Sequence, residues 1–399
     1  MPRIQFILIT IFLDSLGIGL LVPVIPDILR RFTSDAAEVS LYYGFFLSSY
    51  AAIQFFASPI LGSLSDRFGR RPVLLMSLLG AGIDYILMAL APTLSVLFVG
   101  RAISGLTGAS MTVASSYMAD ISDDSNRSKN FGLIGAAWGS GFIIGPALGG
   151  IFQTLGHNGP FIAAAVMNLL NFGFGYFILP ESLAAIYRRP LSLRSMNPFA
   201  SLMKVLKPSS LSIFIWIYFL VYFASQVHAV NWTLYTQLKF GWTAWQVGLS
   251  LAFYGVSSAA SMTLIPRYLL PYIGEYQLFL VGMIISSLSF VLFGFIPQAW
   301  MIYPLIAVFA LSAMTIPTLQ SIISKDTLPS EQGELQGSLV SLGSICAVIA
   351  PFVFTQIFMT FTESRSGYYF PGAAYVAAGG ITFLALLFAV PHVRRRIRD

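Results

Sequence analysis

The sequence predicts an all-α membrane protein of twelve transmembrane helices, on three observations. The first is composition: of 399 residues, 56% are hydrophobic and 10% charged, with mean hydropathy +0.78, whereas soluble domains carry about 25% charged residues. The second is length, because apolar runs able to cross a ~30 Å hydrocarbon core, which takes ~20 helical residues, recur from end to end. The third is the absence of period-two alternation, which a membrane strand of ~10 residues would show, so backbone groups must be satisfied within helices. The runs fall near residues 5–26, 41–62, 73–91, 95–118, 130–154, 159–179, 211–234, 244–265, 277–296, 299–322, 335–358 and 369–390.

Taken in order, the first run is too long, and too polar at Asp14, for a cleavable signal peptide, and no small-residue cleavage site follows it. Between the second and third runs lies GSLSDRFGRRPVLL, with Gly62 and Gly69 around Asp66, Arg67, Arg70 and Arg71. The third and fourth form a hairpin around Pro92 and Thr93. In the fifth, GSGFIIGPALGG sets Gly141, Gly145 and Gly149 four apart, a stripe that lets a neighbouring backbone approach. Pro146 removes one helical hydrogen bond there and invites a bend. After the sixth comes the longest polar stretch, 181–208, predicted to be a linker between six-helix bundles at 1–180 and 209–399. In the second half no carboxylate lies at depth; His228 is the ionisable group, with Gln226 and Asn231 on the same helix. Gln54, Gln320 and Gln336 are uncharged polar groups at or near mid-helix, suited to orienting a ligand or to joining helices.

Basic residues sort by loop. With both termini inside, seventeen Lys and Arg face the cytoplasm against four outside, with Arg101 within the membrane, which follows the positive-inside rule. That sorting, without interleaved aromatics in a basic patch, argues against a nucleic-acid partner. Cys346 is the one cysteine, and His157, His228 and His392 are scattered, so neither a disulfide framework nor a metal cluster is expected. No cofactor is implied, and no nucleophile constellation or phosphate-cradling loop points to an enzyme.

Asp14 lies about nine residues into its helix, ~13 Å deep at 1.5 Å per residue, and Asp84 is at a similar depth. A carboxylate there costs ~3 kcal/mol on insertion scales, so it must face a partner or a water-filled cavity. Asp84 and Arg101 flank the Pro92 hairpin at one level and could form an ion pair, architectural or functional. Asp14 has no such mate in the sequence and is the better candidate for a proton-exchanging group.

The halves repeat. Gly132 and Pro146 lie fourteen apart in the fifth helix, Gly337 and Pro351 fourteen apart in the eleventh, and one shift of 205 residues superimposes both pairs. The same shift sets ADISDDSNRSKNFG on SKDTLPSEQGELQG. Repetition of this size means a duplicated six-helix unit.

GSLSDRFGRRPVLL, LFVGRAISGLTGAS and GSGFIIGPALGG resemble the three signatures of proton-coupled drug antiporters of the major facilitator superfamily. LDSLGIGLLVPVIPDILRRF and SDRFGRRPVLLMSLLGAGIDY look like the tetracycline/proton antiporters within it. The resemblance implies a major facilitator fold of two six-helix bundles in a bacterial inner membrane. It further implies proton-coupled export of a drug-like or amphipathic small molecule. The sequence is silent on oligomeric state, and a monomer is the default expectation. The resemblance assigns Asp14, Gln54, Asp84 and Arg101 to coupling and drug binding. It makes Asp66, Arg67 and Arg70 part of a charge network with Asp120 and the start of the eleventh helix, around Glu334 to Gly337, that latches the halves. The chain departs from tetracycline exporters at Ser286, where they carry an acid, and at Ser258 and Met262, where they carry a histidine and a glutamine. The substrate is therefore expected to be a bulky amphipathic molecule held mainly by contact area along His228, Asn231, Ser258, Met262, Gln320 and Gln336. The same fold would also serve a metabolite or siderophore-like molecule, by symport or export.

Overall fold

The computed structural model describes residues 2–108, 110–123, 127–188, 191, 212–325, 332–363 and 369–398. Twelve helices long and apolar enough to span a membrane occupy the described chain. The first six are Ile4–Leu21, Ala36–Phe68, Arg70–Ala89, Leu94–Asp120, Leu133–Thr154 and Gly159–Ile178. The other six are Ser212–Phe240, Ala244–Tyr268, Leu270–Phe295, Ala299–Lys325, Ser338–Thr362 and Ala373–Val393. Their exposed side chains include many large apolar ones, Leu170, Phe174 and Phe177 among them, as suits a protein whose solvent is hydrocarbon.

Hydropathy ends the second span at residue 62, but the helix continues through Ser63–Phe68 to 33 residues, ~50 Å. It stops where the backbone demands it: Gly69 has φ 104° and ψ 158°, a conformation that side chains with a Cβ avoid. The ninth span begins in the same way. Gly274, at φ 72° and ψ 166°, interrupts Leu270–Phe295, so its regular part begins at Glu275. Gly69 and Gly274 are 205 positions apart, the shift found in the sequence. Pro146 and Pro351, also so related, both lie inside long helices.

The chain divides into two compact units. One comprises Met1–Ser34, Ser49–Pro198 and Thr243–Ala252. Its core gathers Phe6, Ile7, Leu74, Leu78, Val113 and Tyr117. The first and fifth spans touch backbone to backbone: a Cβ on Gly145 would stand 2.8 Å from both Gly19 Cα and the Leu16 carbonyl oxygen. Gly141 and Gly149 meet Phe12 and Leu20 in the same way, so the stripe is a docking face. Gly248 in turn sits on the Pro146 carbonyl.

The other unit comprises Asp35–Ser48, Phe199–Trp242 and Phe253–Asp399. Its core gathers Phe214, Phe279, Met283, Leu319, Leu339 and Ala389. Here the start of the second span lies against the eleventh, with the Ser40 hydroxyl donating to the Thr355 carbonyl at 3.2 Å. Most of the expected linker 181–208 lies outside the described residues.

Candidate coupling and substrate sites

In the first unit four spans bring polar groups to one place. Asp14, on the first span, accepts a hydrogen bond from the Ser110 hydroxyl of the fourth. Asp84, on the third, is 0% exposed, and neither carboxylate oxygen has a hydrogen-bond partner among the described residues. The Ser104 hydroxyl and the Arg101 charge act on it from close by. The Arg101 guanidinium lies over the ring of Tyr50, its Cζ 4.1 Å from the ring centroid. Gln54, one helical turn from Tyr50, donates through Nε2 to the Gly108 carbonyl at 2.8 Å and to the Tyr50 hydroxyl at 3.2 Å. Asp14, Asp84 and Arg101 all lie within electrostatic reach of Tyr50. The four residues picked out by sequence thus converge, and Tyr50, Ser104 and Ser110 join them.

Asp84 and Arg101, which the sequence suggests could form an ion pair, lie within electrostatic reach of each other, with no hydrogen bond to Asp84 among the described residues. The guanidinium instead rests on the Tyr50 face, supplied by the second span, a contact worth ~2 kcal/mol or more once water is removed.

At the foot of the first unit, Arg70 ties three elements. Its Nη1 is 2.5 Å from Asp66 Oδ1 and 2.6 Å from Ser65 Oγ, and its Nε is 3.1 Å from Asp120 Oδ2. Arg67 stays out of this network: it is exposed and lies over Phe68. The third span begins on Glu181, whose carboxylate accepts from the backbone N–H of Arg70 at 2.8 Å and of Arg71 at 3.2 Å. Ser182 donates to Asp120 at 2.9 Å. Gly62 has only an ordinary contact, at 3.7 Å, in its Cβ position. Glu334, Gln336 and Gly337, the proposed far side of the latch, have side-chain positions outside the described residues.

The repeat reproduces this foot with its charges reversed. In the second unit Glu275 and Lys325, each 205 positions beyond Arg70 and Asp120, pair at 2.6 Å, and Ser321 donates to Glu275 at 3.2 Å.

The second unit also holds an aromatic box. The His228 imidazole stacks on Trp232, with ring centroids 4.6 Å apart, and lies 4.9 Å from Phe309 and 5.0 Å from Phe293. Tyr254 and Tyr375 close it at 5.4 and 5.6 Å. His228 is 6% exposed, and neither ring nitrogen has a hydrogen-bond partner among the described residues. One turn on, Asn231 donates to the Phe354 carbonyl at 3.1 Å, and its own Oδ1 has no hydrogen-bond partner among the described residues. Ser258 stands beside Tyr254. Gln320 donates to the Tyr218 hydroxyl at 3.3 Å, and the Tyr218 ring stacks on Tyr222. Met262 is 47% exposed.

Residues 7–351 match the sequence model of the Major Facilitator Superfamily. The chain belongs to that superfamily. Within it, the chain is 38% identical over 361 residues to the class C tetracycline resistance protein of Escherichia coli, covering 90% of this chain and 91% of that one. It is 35% identical over 398 residues to the class H protein of Pasteurella multocida, covering 98% and 96%. Among solved structures of the superfamily, the nucleoside transporter NupG superposes with a TM-score of 0.77 at 14% identity, over 98% of this chain and 99% of its own. The human organic anion transporter MFSD10 gives 0.70 at 21%, over 97% and 99%. These structures speak for the fold alone. The chain is a multi-pass membrane transporter, not an enzyme, and it groups with the tetracycline resistance proteins.

Sequence reasoning missed Glu181, Glu275 and Lys325. The shift of 205 was the available signal for the last two: applied to Arg70 and Asp120, it lands on a pair of opposite charges.

Proposed function

We propose that the chain is a proton-driven exporter of a planar, amphipathic small molecule, working by alternating access in a bacterial inner membrane with both termini in the cytoplasm. The observation that carries this reading is the pair of membrane-depth carboxylates, Asp14 and Asp84, gathered with Arg101 and Gln54 in one unit. Two acids without a permanent ion pair are costly as anions in hydrocarbon, so each is a place where a proton can be taken up and surrendered as the surroundings change. Asp14, held by a hydroxyl that can donate to an anion or accept from an acid, is the principal exchanger.

The substrate groups fall in the second unit. Aromatic faces around His228 and the Asn231 oxygen suit a flat molecule with polar edges, bound mainly by contact. No acid lies among them in the described residues, so magnesium-chelated tetracycline, which wants charged oxygen ligands, is less well served than a neutral amphiphile. The Asp66–Arg70–Asp120 network acts as a cytoplasmic latch between bundles 1–180 and 209–399, joined by the linker 181–208.

Inverted membrane vesicles acidified by respiration test the reading, with tetracycline and ethidium as probes. Addition of a transported probe drives protons out of the lumen, seen as recovery of a pH-sensitive dye. Asp14→Asn abolishes that recovery. If Asp14→Asn releases protons as the native protein does, with the same pH dependence, the role given to Asp14 is wrong.

A further inference from the structure

Tyr50 lies within electrostatic reach of every charged member of the first unit's cluster. Its ring carries the Arg101 guanidinium, its hydroxyl is held by Gln54, and Asp14 and Asp84 act on it electrostatically. Arg101 is 5% exposed and Asp84 0%, so water is not a sufficient partner for either. Among the seats within reach of the guanidinium are the Tyr50 face, where it now lies, and the Asp84 carboxylate, whose oxygens have no hydrogen-bond partner among the described residues.

We propose that Tyr50 is a positioning residue that parks Arg101 over its ring while Asp84 is protonated and yields it to the Asp84 carboxylate when the proton leaves. The physics favours two seats over one. A neutral acid offers Arg101 little, and the π face wins; an anion in a dry site attracts it far more strongly than a ring quadrupole does. The guanidinium swings between the second and third spans, so the protonation state of Asp84 becomes a change in what the fourth span is fastened to. The other groups facing Asp84 are Tyr85, its chain neighbour, and Asp14. This inference rests on the proton-coupling reading of the cluster.

The test replaces the ring by degrees. Tyr50→Phe keeps the π face and loses the hydroxyl; Tyr50→Trp strengthens the face; Tyr50→Leu removes it; pentafluorophenylalanine at position 50 keeps the shape of Phe without the attraction. Probe-driven proton release is expected to follow π strength, with Phe and Trp near native and Leu and the fluorinated residue lower by about tenfold or more. A merely structural role would follow size instead, with Trp worst and the fluorinated ring equal to Phe. The second measurement needs no substrate. In an experimental structure of the Tyr50→Leu protein, or of the fluorinated one should Leu fail to fold, Arg101 is expected within ion-pair distance of Asp84. Arg101 lying away from Asp84 in that structure, or transport that follows ring size, overturns the proposal. Failure of the coupling reading shows separately, as unchanged proton release in Asp14→Asn.

Discussion

Replacing Gly145 by Ala adds one methyl group where the structure has no room for it. The new carbon would stand 2.8 Å from Gly19 Cα and from the Leu16 carbonyl oxygen, and 3.0 Å from Gly19 C. Carbon atoms rest about 3.5 Å or more apart, so the first and fifth spans must separate by roughly 0.7 Å. The obstacle is backbone, and no rotamer change relieves it. Overpacking of this kind costs about 1–3 kcal/mol, set against up to about 1 kcal/mol that Ala gains over Gly as a helix former. The internal control is on the same helix: Gly139 has nothing within 4 Å of its Cβ position, so Gly139→Ala keeps the helix gain without the clash. Thermal unfolding of the purified proteins in one detergent is expected to place Gly145→Ala below the native protein and Gly139→Ala at or above it. Equal midpoints for the two variants would refute the claim that close backbone approach is what the stripe is for.

Glu181→Gln leaves one amide oxygen where a charged carboxylate now caps two backbone N–H groups; a loss of about 1–2 kcal/mol is expected, read as a lower unfolding midpoint and faster amide exchange at residues 70–73. Gly69→Ala should do as much damage, since the new carbon meets Glu181 in a backbone conformation that resists a Cβ. Glu275→Gln and Lys325→Met should each cost no more than about 1 kcal/mol, because the Lys325 side chain is 63% exposed and surface pairs are weak; a double-mutant cycle on unfolding midpoints should return a coupling of about 0.5 kcal/mol.

The twelve spans were legible because a hydrocarbon solvent imposes length and apolarity on every crossing segment. Their ends were less so. Ser63–Phe68 is polar yet helical, since helix continuation there depends on hydrogen bonding and on Gly69, neither of which hydropathy senses. The glycine stripe of the fifth span could be read directly, because a spacing of four fixes a face. In the coupling cluster, the charges announced themselves, whereas Tyr50 and Ser110 did not. One tyrosine among 18 carries no pattern until a neighbouring helix brings a guanidinium onto it. Glu181 was hidden by distance, 111 residues from the N–H it caps.

The reversed charges of the two feet meet unequal helix ends. A helix start carries partial positive charge and a helix end partial negative charge. In the second unit Glu275 sits at a start and Lys325 closes the tenth span, so each charge suits its dipole. In the first, Arg70 sits at a start and Asp120 closes the fourth span, so both oppose theirs. Glu181 and Ser182 make the difference tolerable, the one facing the N–H groups, the other donating to Asp120. One foot is thus self-sufficient, and the other is held together by the residues that lead out of the sixth span. Any pull that draws Pro180–Ser182 away leaves the first foot with two mismatched helix ends and the second unchanged, which makes the first the one that tension can open.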